Sequence, residues 1–445
     1  MSKKEYPKVI VTCIDVWRDD AGANTLPNFF SDWDPDKVAV VYTKAALPDT
    51  KLCNSFFQIS ENEIMRAALH PGRKCGKVVY NEHKSTDTET KQNKVAVDEE
   101  SKRYNFFRSH NLSIFKLARE FLWSLGAWKS KQFDEYLKSI DADVIFFPIY
   151  PYAYMNKIQS YIAKKTGLRG VAYIADDNYS YRAEWYNPMF WIRRFFLRKS
   201  IDEVMKYCDE LLVILPKLKE EYADKFDLPI DVLTKGISID CEFEKTEKKL
   251  PLKMVYTGNL FIGRDKSIVK VVDAIKKINQ NGTRIELDIY SHIQLSKKLK
   301  KKLNVEGCSS FKGAVPISEV QKIQNEADIV LFVEGLDAFN KNKARLSFST
   351  KLTDYFKSGK CIFAVGPANI APIDYLSENQ AAVVATSKKE IYDKLLDLVE
   401  NTEVIDKYGE QAYALGKREH SNEKMKDVFY RSLMNNSRKK HITEK

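Results

Sequence analysis

Residues 344–367 read ARLSFSTKLTDYFKSGKCIFAVGP, and the fold turns on how this stretch is parsed. A short helix begins near Ser349 or Thr350, both residue types whose side-chain oxygens cap helix N-termini. Gly359 stops it, as glycine commonly does one position past a helix end. The apolar run Cys361–Val365 then has the length of a buried strand. A helix N-terminus carries unpaired N–H groups and a partial positive charge, which suits a diphosphate. Lys351 in the first turn adds a full charge. Asp354 and Tyr355 follow about one turn on, where a carboxylate can accept hydrogen bonds from a ribose diol. An ordinary αβ unit with a capped helix shows the same residue types, so spacing alone leaves both readings standing.

Working outward, two runs of alternating strand and helix signals flank a polar linker, which argues for parallel sheets covered by helices. The first run has strands at Val9–Ile14, Val38–Tyr42, Val144–Phe147, Gly170–Ile174 and Leu211–Ile214. The second has them at Met254–Thr257, Ile285–Tyr290, Ile329–Phe332, Cys361–Val365 and Ala382–Val384. Between them, Gly236–Pro251 carries the charged run EFEKTEKK. This gives one Rossmann-like domain over 1–235, another over 251–420, and a final amphipathic helix and tail over 421–445. The polar segment Asn81–Lys102 reads as a long mobile insertion.

At 445 residues the chain has core enough for two or three domains. No apolar run approaches the roughly 18–20 residues that span a bilayer. The apolar run near the N-terminus is a first strand, since a secretory signal needs about 7–15 apolar residues. Seven scattered cysteines without a C-x-x-C pattern suggest neither zinc nor a disulfide framework, so a reducing cytoplasm is the expected home. The net charge of +11 must face something anionic or serve solubility. Nucleic acid is not the expected partner, because no helix-turn-helix, zinc-finger or RNP pattern is present. Two aromatic and basic stretches, 104–128 and 185–199, have the composition of interfacial membrane helices or of core helices with solvated arginines. The six histidines show no metal-ligand spacing.

The pattern S-T-K-L-x-D-Y-x-x-S-G-K-x-I resembles the donor-site segment of GT-B glycosyltransferases of the family 4 type, usually E/S-x-x-K-x-x-E-Y-x-x-x-G-K-P-I/V. The resemblance implies an α/β fold of two Rossmann-like domains facing across a cleft. It implies a nucleoside diphosphate sugar as co-substrate, with no further cofactor and no metal, and transfer with retention. By position, Ser349, Thr350 and Lys351 face the phosphates and Asp354 the ribose. The first Glu of many members falls at Leu346, so its sugar-contacting role has no clear owner. Glu334 and Arg345 stand nearby.

Other segments extend the resemblance. Tyr256–Lys266 is similar to the family's G-R-L-x-x-x-K-G loop, with Asn259 where its Arg stands; Gly258, Arg264 and Lys266 are the donor-side candidates. His292, just past a strand, is the one histidine expected at the cleft. After the first strand, the loop with Asp15 and Gly22 matches a ligand-approaching loop. Asp176 and Asp177 resemble an acceptor-side D-D element. Each can orient an acceptor hydroxyl or act as a base, or one of them caps the next helix. Val232–Asp240 resembles the P-N-G-V-D strand end that closes the first domain. The resemblance, with the basic aromatic first domain, implies a lipid-linked oligosaccharide acceptor in capsule or exopolysaccharide assembly. The protein would then sit peripherally on the anionic inner face of the plasma membrane. The alternative is a non-catalytic GT-B scaffold or partner subunit, for which Leu346 is the support.

Overall fold

The computed structural model describes residues 5–19, 25–70, 72–81, 93–102, 113–239 and 242–437, with side chains of the fifth segment described from 116 onward. The chain forms two compact units. The first takes residues 1–181, 185–233 and 426–445, the second 182–184 and 234–425.

The first unit carries eight strands: β1 (Val9–Cys13), β2 (Val38–Tyr42), β3 (Ser55–Gln58), β4 (Lys77–Val79), β5 (Val144–Pro148), β6 (Gly170–Ile174), β7 (Cys208–Val213) and β8 (Ile230–Val232). Their order is β4-β3-β2-β1-β5-β6-β7-β8. All neighbours are parallel except β3 and β4. VIVTC, VIFFP and GVAYI are buried at every position, as expected of parallel strands covered on both faces.

The second unit carries β9 (Leu252–Thr257), β10 (Ile285–Tyr290), β11 (Ser309–Gly313), β12 (Ile329–Val333), β13 (Cys361–Val365) and β14 (Val383–Ala385). This sheet is wholly parallel, in the order β11-β10-β9-β12-β13-β14. Its core joins Met254, Leu287, Leu331 and Phe363 on the strands to Ile268, Val272 and Ile275 on the helix Arg264–Ile278. Each such side chain taken out of water contributes about 1.5–3 kcal/mol. The chain builds outward from β9 to β11, returns, and continues from β12 to β14. The winding therefore reverses between β9 and β12, and a doubly wound sheet leaves its ligand crevice outside the carboxyl ends of the strands at such a point.

The structure corrects one expectation, decides part of an open alternative and adds four strands. Residues 93–102 are helical rather than loop. Asn93 holds that helix to the turn after β2, donating to the Ala45 carbonyl at 2.6 Å and accepting from the Leu47 N–H at 3.2 Å. Glu100 adds a bond from the Ala45 N–H at 2.9 Å. In the 104–128 stretch, residues 104–112 lie outside the described residues, and Trp123 and Trp128 are core. Trp123 stacks on Tyr154 at 4.2 Å, and Trp128 donates to the Trp123 carbonyl. Finally, β3, β4, β8 and β11 were not foreseen, because SFFQ, KVV, IDV and SSFKG are too short or too polar to stand out.

The last helix, Asn422–Asn435, appears as expected. Its Phe429 packs among Phe29, Phe30, Trp33 and Phe146 of the first unit. Among the described residues no helix is long and apolar enough to cross a membrane.

Candidate nucleotide-sugar site

Four segments of the second unit bring their ends together at the carboxyl edge of β9 and β12. They are the loop after β9, the residue after β12, the loop before the helix Lys351–Ser358, and the first turn of that helix. The helix buries Leu352, Thr353, Tyr355 and Phe356 and ends on Gly359 in the left-handed region. The Tyr355 hydroxyl donates to the Leu331 carbonyl at 3.2 Å, pinning the helix to β12. A side-chain cap from Ser349 or Thr350 was expected. Thr350 is the N-cap residue but makes no capping bond, and its backbone is already helical. Thr350 therefore offers the first turn no hydroxyl acceptor, and the Leu352 N–H donates instead to the Ser349 carbonyl at 2.9 Å.

Lys351 points back over this turn. Its ammonium lies 5.4 Å from the Tyr256 ring centroid. It also lies so close to Gly258 that a Cβ there would fall 1.7 Å from Nζ. Gly258 has φ +154°, so both the space and the backbone exclude a side chain. Lys351 forms no ion pair among the described residues. Desolvation, then the nearby Arg264, pushes its pKa down to about 8, against the pull of Glu334 and Asp354.

Arg264, at the start of the helix after β9, is fixed by the buried Glu334 carboxylate. Nη2 donates to it at 2.7 Å and Nε at 3.2 Å, while Nη1 donates to Asn259 Oδ1 at 2.8 Å. Asn259, which stands where the resembling family has Arg, thus orients the arginine that follows later in the loop. A small cavity is lined by Tyr256, Arg264, Glu334, Ser349, Lys351 and Tyr355. Two cations and one carboxylate around it favour an anion carrying more than one charge. Leu346 is buried in the core, so the carboxylate in this cavity is Glu334.

Asp354 lies beside this cluster and accepts from Lys235 Nζ at 2.6 Å. Sequence reasoning missed Lys235, because it lies 119 residues away in the chain, in a segment that reads only as a domain boundary. Lys266 and His292 are exposed and join none of these bonds. Lys266 instead faces Asp337. There burial opposes ionisation, but bonds from the Asn340 side chain and backbone, with Lys266, hold the carboxyl below its usual range.

In the first unit, Asp15 and Asp176 follow β1 and β6 and are exposed. Desolvation at its base and the neighbouring Asp177 raise the Asp176 pKa. The Asp177 carboxylate closes a turn. Its Oδ1 accepts from the Ser180 N–H at 2.9 Å, and its carboxylate also takes the Ser180 hydroxyl. Neither aspartate caps the following helix, Pro188–Met205, which Asn187 caps. Gly22 lies outside the described residues. The helix Ala153–Thr166 offers no anion site, because Glu120 already accepts from the Ala153 and Tyr154 N–H groups at 3.0 and 2.9 Å.

No protein-family model matches the chain, and no curated protein matches it by sequence. Solved structures do. HepE of Anabaena, in complex with UDP and glucose, aligns with a TM-score of 0.59 over 97% of this chain and 100% of that chain, at 9% identity. The α,α-trehalose 6-phosphate synthase of Burkholderia multivorans aligns at 0.57 over 99% of both chains, also at 9% identity. WaaG, a glycosyltransferase involved in lipopolysaccharide biosynthesis, aligns at 0.51 over 95% of this chain and 99% of that one, at 11% identity. At such identities the likeness is one of fold, and the chain has the two-domain α/β GT-B fold.

Proposed function

We propose that this protein is a glycosyltransferase that moves a sugar from a nucleoside diphosphate sugar to an acceptor hydroxyl. The observation that carries the reading is Lys351. It is an ammonium with no ion-pair partner among the described residues, desolvated at the uncapped N-terminus of a helix, beside an arginine held in fixed orientation. Such a group is placed to bind the diphosphate and to stabilise the charge that develops on it. As the bond from the anomeric carbon to the phosphate oxygen breaks, the electron pair goes to the diphosphate. Lys351, Arg264 and the helix N–H groups lie where that charge grows. The acceptor oxygen bonds to the anomeric carbon and passes its proton to the departing diphosphate oxygen. Likeness to the family 4 segment supports a hexosyl donor and retention, with Glu334 as the carboxylate at the sugar in place of the one missing at Leu346.

The acceptor we propose is a lipid-linked glycan of capsule or exopolysaccharide assembly, met on the anionic inner face of the plasma membrane by a peripheral cytoplasmic protein. The helix Pro188–Met205 supports this. It buries Phe190, Leu197, Ile201 and Val204 on one stripe and exposes Trp191, Ile192, Phe195 and Phe196 on another. Exposed Lys199 extends the second stripe. Aromatic residues with a cation at their border suit a bilayer interface. The exposed Asp176 and Asp15 are our candidates for orienting the acceptor. The core position of Leu346 is the observation behind a second reading, a non-catalytic GT-B partner subunit.

The test is turnover. The protein is incubated with a panel of UDP-, GDP- and ADP-sugars and lipid-linked acceptors in vesicles, and release of nucleoside diphosphate is followed. The account expects one donor to turn over, and Lys351→Ala to slow it on the order of 100-fold or more. Folded protein that binds a nucleotide but turns over no donor supports the partner-subunit reading. Undiminished turnover in Lys351→Ala removes the role given to that lysine.

A further inference from the structure

Asp354 stands in the first turn of the helix that begins at Lys351, beside the place the donor-site reading gives the diphosphate. Unopposed, its charge would repel a diphosphate bound at that turn and cancel the gain from Lys351. The compensation comes from Lys235, whose ammonium lies 2.6 Å from Asp354 Oδ1. With Arg264 and Lys351 set against Glu334 and Asp354, the site is neutral without Lys235 and carries one net positive charge with it. We propose that Lys235 is a positioning residue of the nucleotide site. It holds the Asp354 carboxylate in one orientation, with the second carboxylate oxygen turned to the ribose diol, and it keeps the carboxylate from opposing the diphosphate. The inference rests on the donor-site reading above.

An exposed lysine–carboxylate pair in general contributes little, because two flexible side chains must be held together in water. This pair differs in how its backbone is fixed. Lys235 and Asp354 retain only 20% and 35% of their side-chain exposure. The residue before Lys235, Thr234, has its Oγ1 2.8 Å from Nδ1 of the buried His420. The residue after it, Gly236, packs so closely on Asn422 that a Cβ would fall 2.4 Å from the side-chain oxygen. The Ile237 N–H donates to the His420 carbonyl at 2.8 Å, and the Asn422 N–H donates to the Ile237 carbonyl at 3.0 Å. Lys235 thus projects from a strut of two bridged chain segments. His420 also stacks on Phe348 and lies against Phe356, on either side of Lys351 and Asp354. One buried ring therefore fixes both ends of the salt bridge.

The experiment compares binding of inorganic pyrophosphate with that of UDP, GDP and ADP and their 2′-deoxy counterparts, by calorimetry, in wild type, Lys235→Gln, Lys235→Arg and Asp354→Asn. Pyrophosphate reads the phosphate groups alone, and the ratio of ribo- to deoxyribonucleotide affinity reads the ribose contact. A hydrogen bond to a charged acceptor is worth about tenfold in that ratio. We expect the wild-type preference to collapse towards unity in Lys235→Gln and Asp354→Asn, with pyrophosphate affinity falling in Lys235→Gln, where the Asp354 charge is left unopposed, and not falling in Asp354→Asn. Lys235→Arg should keep most of the preference. A full preference surviving in Lys235→Gln overturns the inference, as does an equal loss of pyrophosphate and nucleotide in Asp354→Asn, which would mark a merely structural role. If wild type binds neither pyrophosphate nor any nucleotide, the donor-site reading itself fails and takes this inference with it.

Discussion

The proton on Lys351 makes the site's chemistry measurable. A lysine ordinarily keeps its proton to about 10.5, and here desolvation and Arg264 bring release down to about 8. A bound diphosphate favours the charged ammonium and raises its pKa again. Binding above about pH 8 must therefore take up a proton, and affinity must fall as pH rises from 7 towards 10. For folding alone the sign is opposite. Between about 8 and 10.5 the unfolded chain holds the proton that the folded chain has lost, so stability rises with pH in that window. Titrations near pH 8.5 in buffers of different ionisation enthalpy should report proton uptake in wild type and none in Lys351→Arg, which stays charged. A flat affinity profile in wild type would show that the ligand does not meet this ammonium. At this scale the sequence was partly legible. Lys351, Asp354, Arg264 and Gly258 stand in or beside a recognisable segment. Lys235 and His420 could not be read, because their roles arise from contacts made across 119 and 186 residues of chain. The Asp176–Asp177 pair also read as one element, and only the turn with Ser180 separates the carboxylate that closes it from the exposed one.

At the level of elements, the helix Pro188–Met205 shows what composition hides. Apolar residues on two stripes leave no clear amphipathic period, so the sequence could not tell core from interface. Packing assigns one stripe to each, and it assigns Trp123 and Trp128 of the other aromatic stretch to the core. The membrane prediction is tested on the exposed stripe of this helix. Trp191→Ser, Phe195→Ser and Phe196→Ser combined should leave thermal stability within a few degrees, since these side chains are exposed. The wild type should co-sediment with phosphatidylglycerol vesicles more strongly than with phosphatidylcholine, and the same change should abolish it. Equal binding by variant and wild type would remove this helix from the proposed contact. The strands themselves were the most legible elements. VIVTC, IVLFV and CIFAV are unbroken apolar runs because parallel strands are buried on both faces, whereas SSFKG at the edge of the second sheet has no such signature.

For the whole molecule, two doubly wound sheets, parallel but for the β3–β4 pair, follow from two runs of strand and helix signals with a charged stretch between them. The fold was thus visible in the order of its parts, and 9–11% identity to HepE, trehalose 6-phosphate synthase and WaaG preserves that order with little of the sequence. Function lives in the site rather than the fold. The central claim is that the second unit binds a nucleoside diphosphate through Lys351. It is tested most directly by calorimetric titration of UDP, GDP, ADP and CMP into wild type and Lys351→Ala. The account predicts that one diphosphate binds, that CMP binds weakly, and that the variant loses most of the affinity while remaining folded. Absence of binding by every nucleotide, or an affinity unaffected by the loss of Lys351, would contradict it.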